Sequence, residues 1–404
     1  NGTNGNVYNT AVGANAGFAV TTATENTLVG GLAGDALTTG SSNLAVGYRA
    51  LSASNTAAGN VALGANAMLV DTKGARNVAV GYGTLFAQNF TTATNSFNVA
   101  VGYDAGTAVT TGLQNTLIGG GAGDALTDAD SNVAIGYLSL TTDTLGSRAV
   151  AIGQGALFSQ NFTTATNSYN VGIGYETGGA ITTGINNTLI GGLAGDALTT
   201  GSYNVAVGFE ALSTEDAHGN NVAVGNRALK TLNAGTAGLN VAVGDDAGTA
   251  LTTGVQNVLI GAIAGDALTN ADANVALGYA ALSSDTLGSK SIAIGTGALF
   301  TQNFTTATNA YNVAVGDSAG NAVTTGDRNT LIGGLAGDAL NTGAANVAVG
   351  YLALSADTKG ASNVAIGRSA LTAQNFTTGT DSFNTAVGDR AGTAVTTGIQ
   401  NTLI

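Results

Sequence analysis

The chain has 404 residues, among them 62 glycines, no proline, cysteine or tryptophan, a single histidine, and a net charge of −13. This excludes a disulfide framework, a thiolate metal site and a cysteine nucleophile, and a Ser-His-Asp triad would have to rest on His218 alone. Only 9% of residues are charged and no basic stripe exists, so nucleic-acid binding lacks its electrostatic footing, and no apolar run nears the roughly 20 residues of a membrane helix.

The chain opens at Asn1 without methionine or a visible signal peptide, which reads as an interior piece of something longer. From Asn9 on, one motif, NVAVG or a near variant, opens a coil 23 times, at 9, 26, 43, 60, 77, 98, 115, 132, 149, 170, 187, 204, 221, 240, 257, 274, 291, 312, 329, 346, 363, 384 and 401. Most coils are 17 residues long; those starting at 77, 149, 291 and 363 have 21, and the one at 221 has 19. The opening residue is Asn in 21 of 23 coils, Ala149 and Ser291 being the exceptions, and the fifth is Gly in all 22 coils that reach it. Such register is the mark of a stacked solenoid, in which each coil contacts only its neighbours. Coils opening NTLIG, or a near variant, recur about every fourth coil, and no composition break divides residues 1–404, so the chain reads as one repeat domain.

Each coil is too short for a helical hairpin. Its β-branched opening followed by Gly predicts a short strand and a turn, with a second short strand after it, for example over residues 35–39. The fold class is therefore all-β: a parallel β-solenoid, or β-roll, of about 17 residues per coil, on the order of 110 Å long at ~4.8 Å per layer. Stacked opening Asn residues are expected to satisfy turn backbone groups and pair with one another.

In the opening strand the second and fourth residues share one side and the third faces the other. All three positions are apolar or Thr (Gly172 once), and the five opening positions hold no charge, although an even spread of the 35 charged residues would put about ten there. A strand with one wet face would alternate apolar and polar residues. One side can fill the roll's interior, so the other needs a cover, and a second copy of the chain is the simplest one. Leu28, Ala100, Leu117, Leu189, Leu259 and Leu331, all third residues, are assigned to inter-chain packing on this reasoning.

Other features follow along the chain. GGLAGDALT at residues 30–38, with copies at 191–199 and 333–341, is similar to a calcium-binding nonapeptide, but its spacing cannot sandwich an ion between turns, so Asp35, Asp124, Asp196, Asp266 and Asp338 read as turn residues. The 21-residue coils carry LFAQNFTTATNSF and its variants. Their aromatics Phe86, Phe90, Phe97, Phe158, Phe162, Tyr169, Phe300, Phe304, Tyr311, Phe376 and Phe383 are candidates for surface contact with a glycan or a neighbouring fibre. The competing reading folds the loop back, with Phe90, Phe162, Phe304 and Phe376 plugging the flank of the roll. His218 lies in the variable turn EDAHG beside Glu215 and Asp216 and reads as a solvated turn residue. Threonine pairs such as Thr38-Thr39 recur too irregularly for an ice-binding array. No metal, cofactor or catalytic residue is assigned.

The segments NLAVGYRALSASNTAAG, NVAVGFEALSTEDAHG and NTAVGDRAGTAVTTGIQ resemble repeats of phage tail-fibre-like proteins, and NVAVG resembles the NxAIG repeat in the heads of trimeric autotransporter adhesins. The resemblance implies three parallel chains side by side in an extracellular fibre on a virion or cell surface. The expected function is a non-enzymatic shaft or adhesin stalk, self-associating and presenting surface to a glycan or protein receptor, without nucleic-acid binding or membrane insertion. The alternative is an extracellular filament of subunits joined end to end, suggested by the incomplete last coil.

Overall fold

A computed structural model describes residues 7–404. Among them there is no helix, and the chain is a parallel β-solenoid of 23 turns, each opened by a two- or three-residue strand. It forms two compact units, Asn1–Tyr203 and Asn204–Ile404. Opening strands run from Thr10–Val12 to Thr188–Ile190 in the first unit and from Val205–Val207 to Thr402–Leu403 in the second. Within each unit, successive strands pair in parallel with no slip: Val99, Ala100 and Val101 lie beside Thr116, Leu117 and Ile118.

The expected second strand over residues 35–39 does not form. Hydrogen bonds between turns do continue there, from Gly34 N to Ala50 O (2.9 Å) and from Thr38 N to Asn55 O (2.9 Å). The backbone, however, turns there: Leu37 N donates back to Gly34 O at 3.1 Å, and the amides of Thr38, Thr39 and Gly40 all converge on Asn55 O. Donors that share one acceptor cannot form the evenly spaced ladder of a parallel strand pair. A second strand does form beside each 21-residue turn, where two-residue segments such as Gly74–Ala75 and Thr94–Asn95 pair.

The invariant fifth glycine has two causes. Gly102 sits at φ +142°, a conformation that side chains resist, and a Cβ there would lie 2.3 Å from the Gly119 carbonyl oxygen of the next turn. The turns stack too closely at that corner for any side chain.

The third residue of each strand points into the core together with the eighth, ninth and twelfth, and their sizes are matched. Ala at the third position comes with Leu at the ninth in many turns, as in Ala134 and Leu140, both fully buried. Where the third residue is Leu, the ninth is Gly: a Cβ on Gly123 would lie 2.8 Å from Leu117 Cδ2. The turn before a third-position Leu also carries Gly at its ninth position, since a Cβ on Gly106 would lie 2.6 Å from Leu117 Cδ1. The longer period in the sequence is thus a packing rule, one large side chain filling the room left by two glycines.

The opening asparagines form a buried ladder. Asn115 N donates to Asn98 Oδ1 at 2.9 Å, and Asn115 Nδ2 donates to the Ala129 carbonyl at 2.7 Å. Asn132 N in turn donates to Asn115 Oδ1 at 3.0 Å. Each amide therefore satisfies one backbone donor of the next turn and one backbone acceptor of its own, as an interior polar column must.

Candidate assembly interface

The residues assigned to inter-chain packing are corrected by the structure. Leu28, Ala100, Leu117, Leu189, Leu259 and Leu331 are 0–1% exposed on the single chain and belong to its own core. The leucines at this position fit beside glycines of the same wall, so the third residue is the inner one. The side left without a cover carries the second and fourth residues. Fourth residues Ile118, Ile190, Leu277, Ile332 and Ile366 are 37–41% exposed, and the second and fourth residues of most other turns are half-buried. Each unit therefore presents a charge-free stripe of Val, Ile, Leu and Thr, two residues wide, at every turn.

Aromatics border this stripe. The sixth residue, just past the strand, is Tyr or Phe in eight turns: Tyr48, Tyr82, Tyr103, Tyr137, Tyr175, Phe209, Tyr279 and Tyr351, all 49–65% exposed. Tyr82 and Tyr103, in successive turns, stack with centroids 5.3 Å apart. Elsewhere the ring leans over a glycine of the preceding turn: a Cβ on Gly120 would meet Tyr137 Cδ2 at 3.5 Å. This row went unnoticed in the sequence, although a Tyr after NVAVG is visible in several coils.

The opposite border is the residue just before the opening Asn, which carries Phe97, Tyr169, Tyr311 and Phe383 of the long turns, each exposed. Three of these rings have a cation over them from the preceding turn: Arg76 over Phe97, Arg148 over Tyr169 and Lys290 over Tyr311, at 5.4–5.6 Å.

The other long-turn aromatics divide. Phe86, Phe158 and Phe300 are exposed, whereas Phe90, Phe162, Phe304 and Phe376 are 5–7% exposed and plug the flank of the solenoid. A surface-contact role for those four is thereby corrected in favour of the folded-back loop.

What holds the loop back was not foreseen. The turn before each 21-residue turn has a buried Asp at its twelfth position, at Asp71, Asp143, Asp285 and Asp357. Asp71 Oδ2 accepts from Gln88 Nε2 at 2.6 Å and Oδ1 from Gly74 N at 2.9 Å. Asp143 also accepts from the amide of the plug, Phe162 N, at 3.1 Å. Gln88 Oε1 in turn accepts from Asn98 Nδ2 at 2.8 Å, joining the insertion to the asparagine ladder. Burial raises the carboxyls of Asp71 and Asp143 above their ordinary range, partly offset by these hydrogen bonds. The signal in the sequence was Asp at a position that holds Leu in turns such as that of Leu37.

Glu215 does the same for the 19-residue turn: it is buried, and its Oε2 accepts from Ala234 N at 3.2 Å. His218 is half-buried in its turn, its N and Nδ1 lying 3.2 and 3.3 Å from Glu215 Oε1. With Asp216 these form a group whose potential ligand atoms lie within 4.8 Å of one another. Both Glu215 oxygens already accept backbone N–H groups, so the group is an anchor for the turn. Asp35 accepts from the Ser52 hydroxyl at 2.5 Å and Asp124 from the Thr141 hydroxyl, so these turn aspartates bond one turn onward through side chains. Thr38 Oγ1 donates to Asn55 O at 2.9 Å and is consumed within the fold.

No protein-family model matches this chain, and no curated protein matches it.

Proposed function

We propose that the chain is a structural shaft segment that associates side by side with copies of itself, most simply as a parallel trimer, through the strand face bearing the second and fourth residues. One observation carries this reading: a charge-free apolar stripe is left half-exposed at turn after turn of each unit. Covering an Ile or Val completely contributes roughly 1.5–3 kcal/mol relative to full exposure, so even the remaining fraction, repeated along a stack, drives association. Identical turns in register let a second copy make the same contact at every layer. The number three rests on the resemblance of the repeats, as does a place outside a cell or on a virion.

The reading is structural and non-enzymatic. It assigns contact with a glycan or protein receptor to the exposed aromatics Phe86, Phe97, Phe158, Tyr169, Phe300, Tyr311 and Phe383, and none to the four plugs. Sedimentation equilibrium tests the association: a discrete mass of three chains supports it, a single-chain mass overturns it, and an open-ended series supports the filament of end-to-end subunits instead. Glycan-array binding lost on replacing Phe86 and Phe158 by Ala would make the shaft adhesive, and no binding would leave it a spacer.

A further inference from the structure

The tenth residue lies at the surface in each of the 22 turns that reach it, and it has a side chain in all but one. The exception is Gly179. Its neighbours along that column are Phe158 one turn earlier and Asp196 one turn later, two layers or ~10 Å apart. Between them opens a cleft of about 360 Å³, lined by Tyr137, Gln154, Phe158, Glu176 and Asp196 around Gly179. This volume lies within the usual range for small-ligand sites. A Cβ on Gly179 would have the Glu176 carbonyl oxygen as its nearest neighbour, at 3.2 Å, so a longer side chain there would extend into the cleft.

The second unit provides an internal comparison. At the corresponding place, one turn after Phe300, Asn321 stands where Gly179 stands. Its Nδ2 donates to the Gly297 carbonyl at 3.1 Å, so the side chain lies across the preceding turn. Thr296 and Ser318 stand there in place of Gln154 and Glu176. The Gln154 amide, the second carboxylate and the missing side chain thus occur together at the cleft, and none of the three recurs at this second place.

Its lining holds two aromatic rings, two carboxylates and no Lys or Arg. Ring faces attract cations, and carboxylates pair with them. We propose that this cleft binds an organic ammonium group, of the kind borne by a lysine side chain or a choline headgroup. The proposal is independent of side-by-side assembly.

The test is calorimetric titration of the full chain at low salt with choline chloride and with N-acetyl-lysine methylamide, using methyl glucoside as a neutral ring. An ammonium ligand is expected to bind, more weakly as sodium chloride is added, while methyl glucoside does not. Binding of choline alone points to a headgroup, and of the lysine derivative alone to a protein partner. Gly179→Asn introduces a side chain that the fold accepts at Asn321 and is expected to weaken binding by roughly tenfold or more at an unchanged unfolding temperature. Glu176→Gln, at an exposed position, is expected to weaken it as well. Failure of both amines to bind, equal binding of methyl glucoside, or unchanged binding by both variants would overturn the proposal.

Discussion

Leu117 occupies the space that Gly123 leaves: a Cβ on that glycine would lie 2.8 Å from Leu117 Cδ2. Other turns solve the same volume the other way round, with Ala134 facing Leu140, whose backbone is left-handed at φ 51°. Leu117→Ala is therefore expected to cost about 2–5 kcal/mol in denaturant unfolding, and Gly123→Leu alone about 1–3 kcal/mol from overpacking. The double variant, which recreates the Ala–Leu arrangement, is expected to recover much of the loss. Simple addition of the two costs would refute the size-matching rule.

The asparagine ladder yields a second expectation. Replacing Asn115 by Ala removes the acceptor for Asn132 N and the donor to Ala129 O, both buried. Unfolding in urea is expected to show a loss of about 1–3 kcal/mol per group left unsatisfied. Asn9, part-exposed at the first described turn, is expected to cost less when replaced.

The buried carboxylates make stability depend on pH in a defined direction. Burial holds the Asp71 and Asp143 carboxyls above their ordinary 3.8, so the folded state keeps their protons to higher pH than the unfolded chain does. Their contribution is fully present below 3.8 and is lost as pH rises through the folded values. Asp71→Asn removes one titration. The stability of the wild type relative to this variant is expected to fall as pH rises from about 3 across that window, then level off. A difference that rises with pH would contradict the assignment.

The repeat register, the parallel stack, the glycine corner and the asparagine ladder were legible because each is a one-residue rule repeated at every turn. The side facing inward was not. A strand alternates with period two, which separates its faces but does not label them when both are apolar, so Leu117 was placed outside and Ile118 left without a role. The pairing of Leu28 with Gly34, and of Ala45 with Leu51, would have labelled them, because reciprocal sizes belong to residues that touch. The second strand was misread for a different reason: the run Ala36, Leu37, Thr38, Thr39 looks extended in sequence, but the Leu37 amide turns back on Gly34 O and those of Thr38 and Thr39 converge on Asn55 O. The Asp71–Gln88 contact was hidden by a spacing of 17 residues, which becomes adjacency only once turns are stacked.

The central claim is that the half-exposed strand face is covered by further copies of the chain. Sedimentation velocity of the wild type and of a variant carrying Ile118→Lys, Ile190→Lys and Ile332→Lys tests it most directly, since those side chains point away from the core. The account expects a discrete oligomer for the wild type and a folded single chain for the variant, with unchanged circular dichroism. A wild type that sediments as a single chain, or a variant that stays assembled, would contradict it.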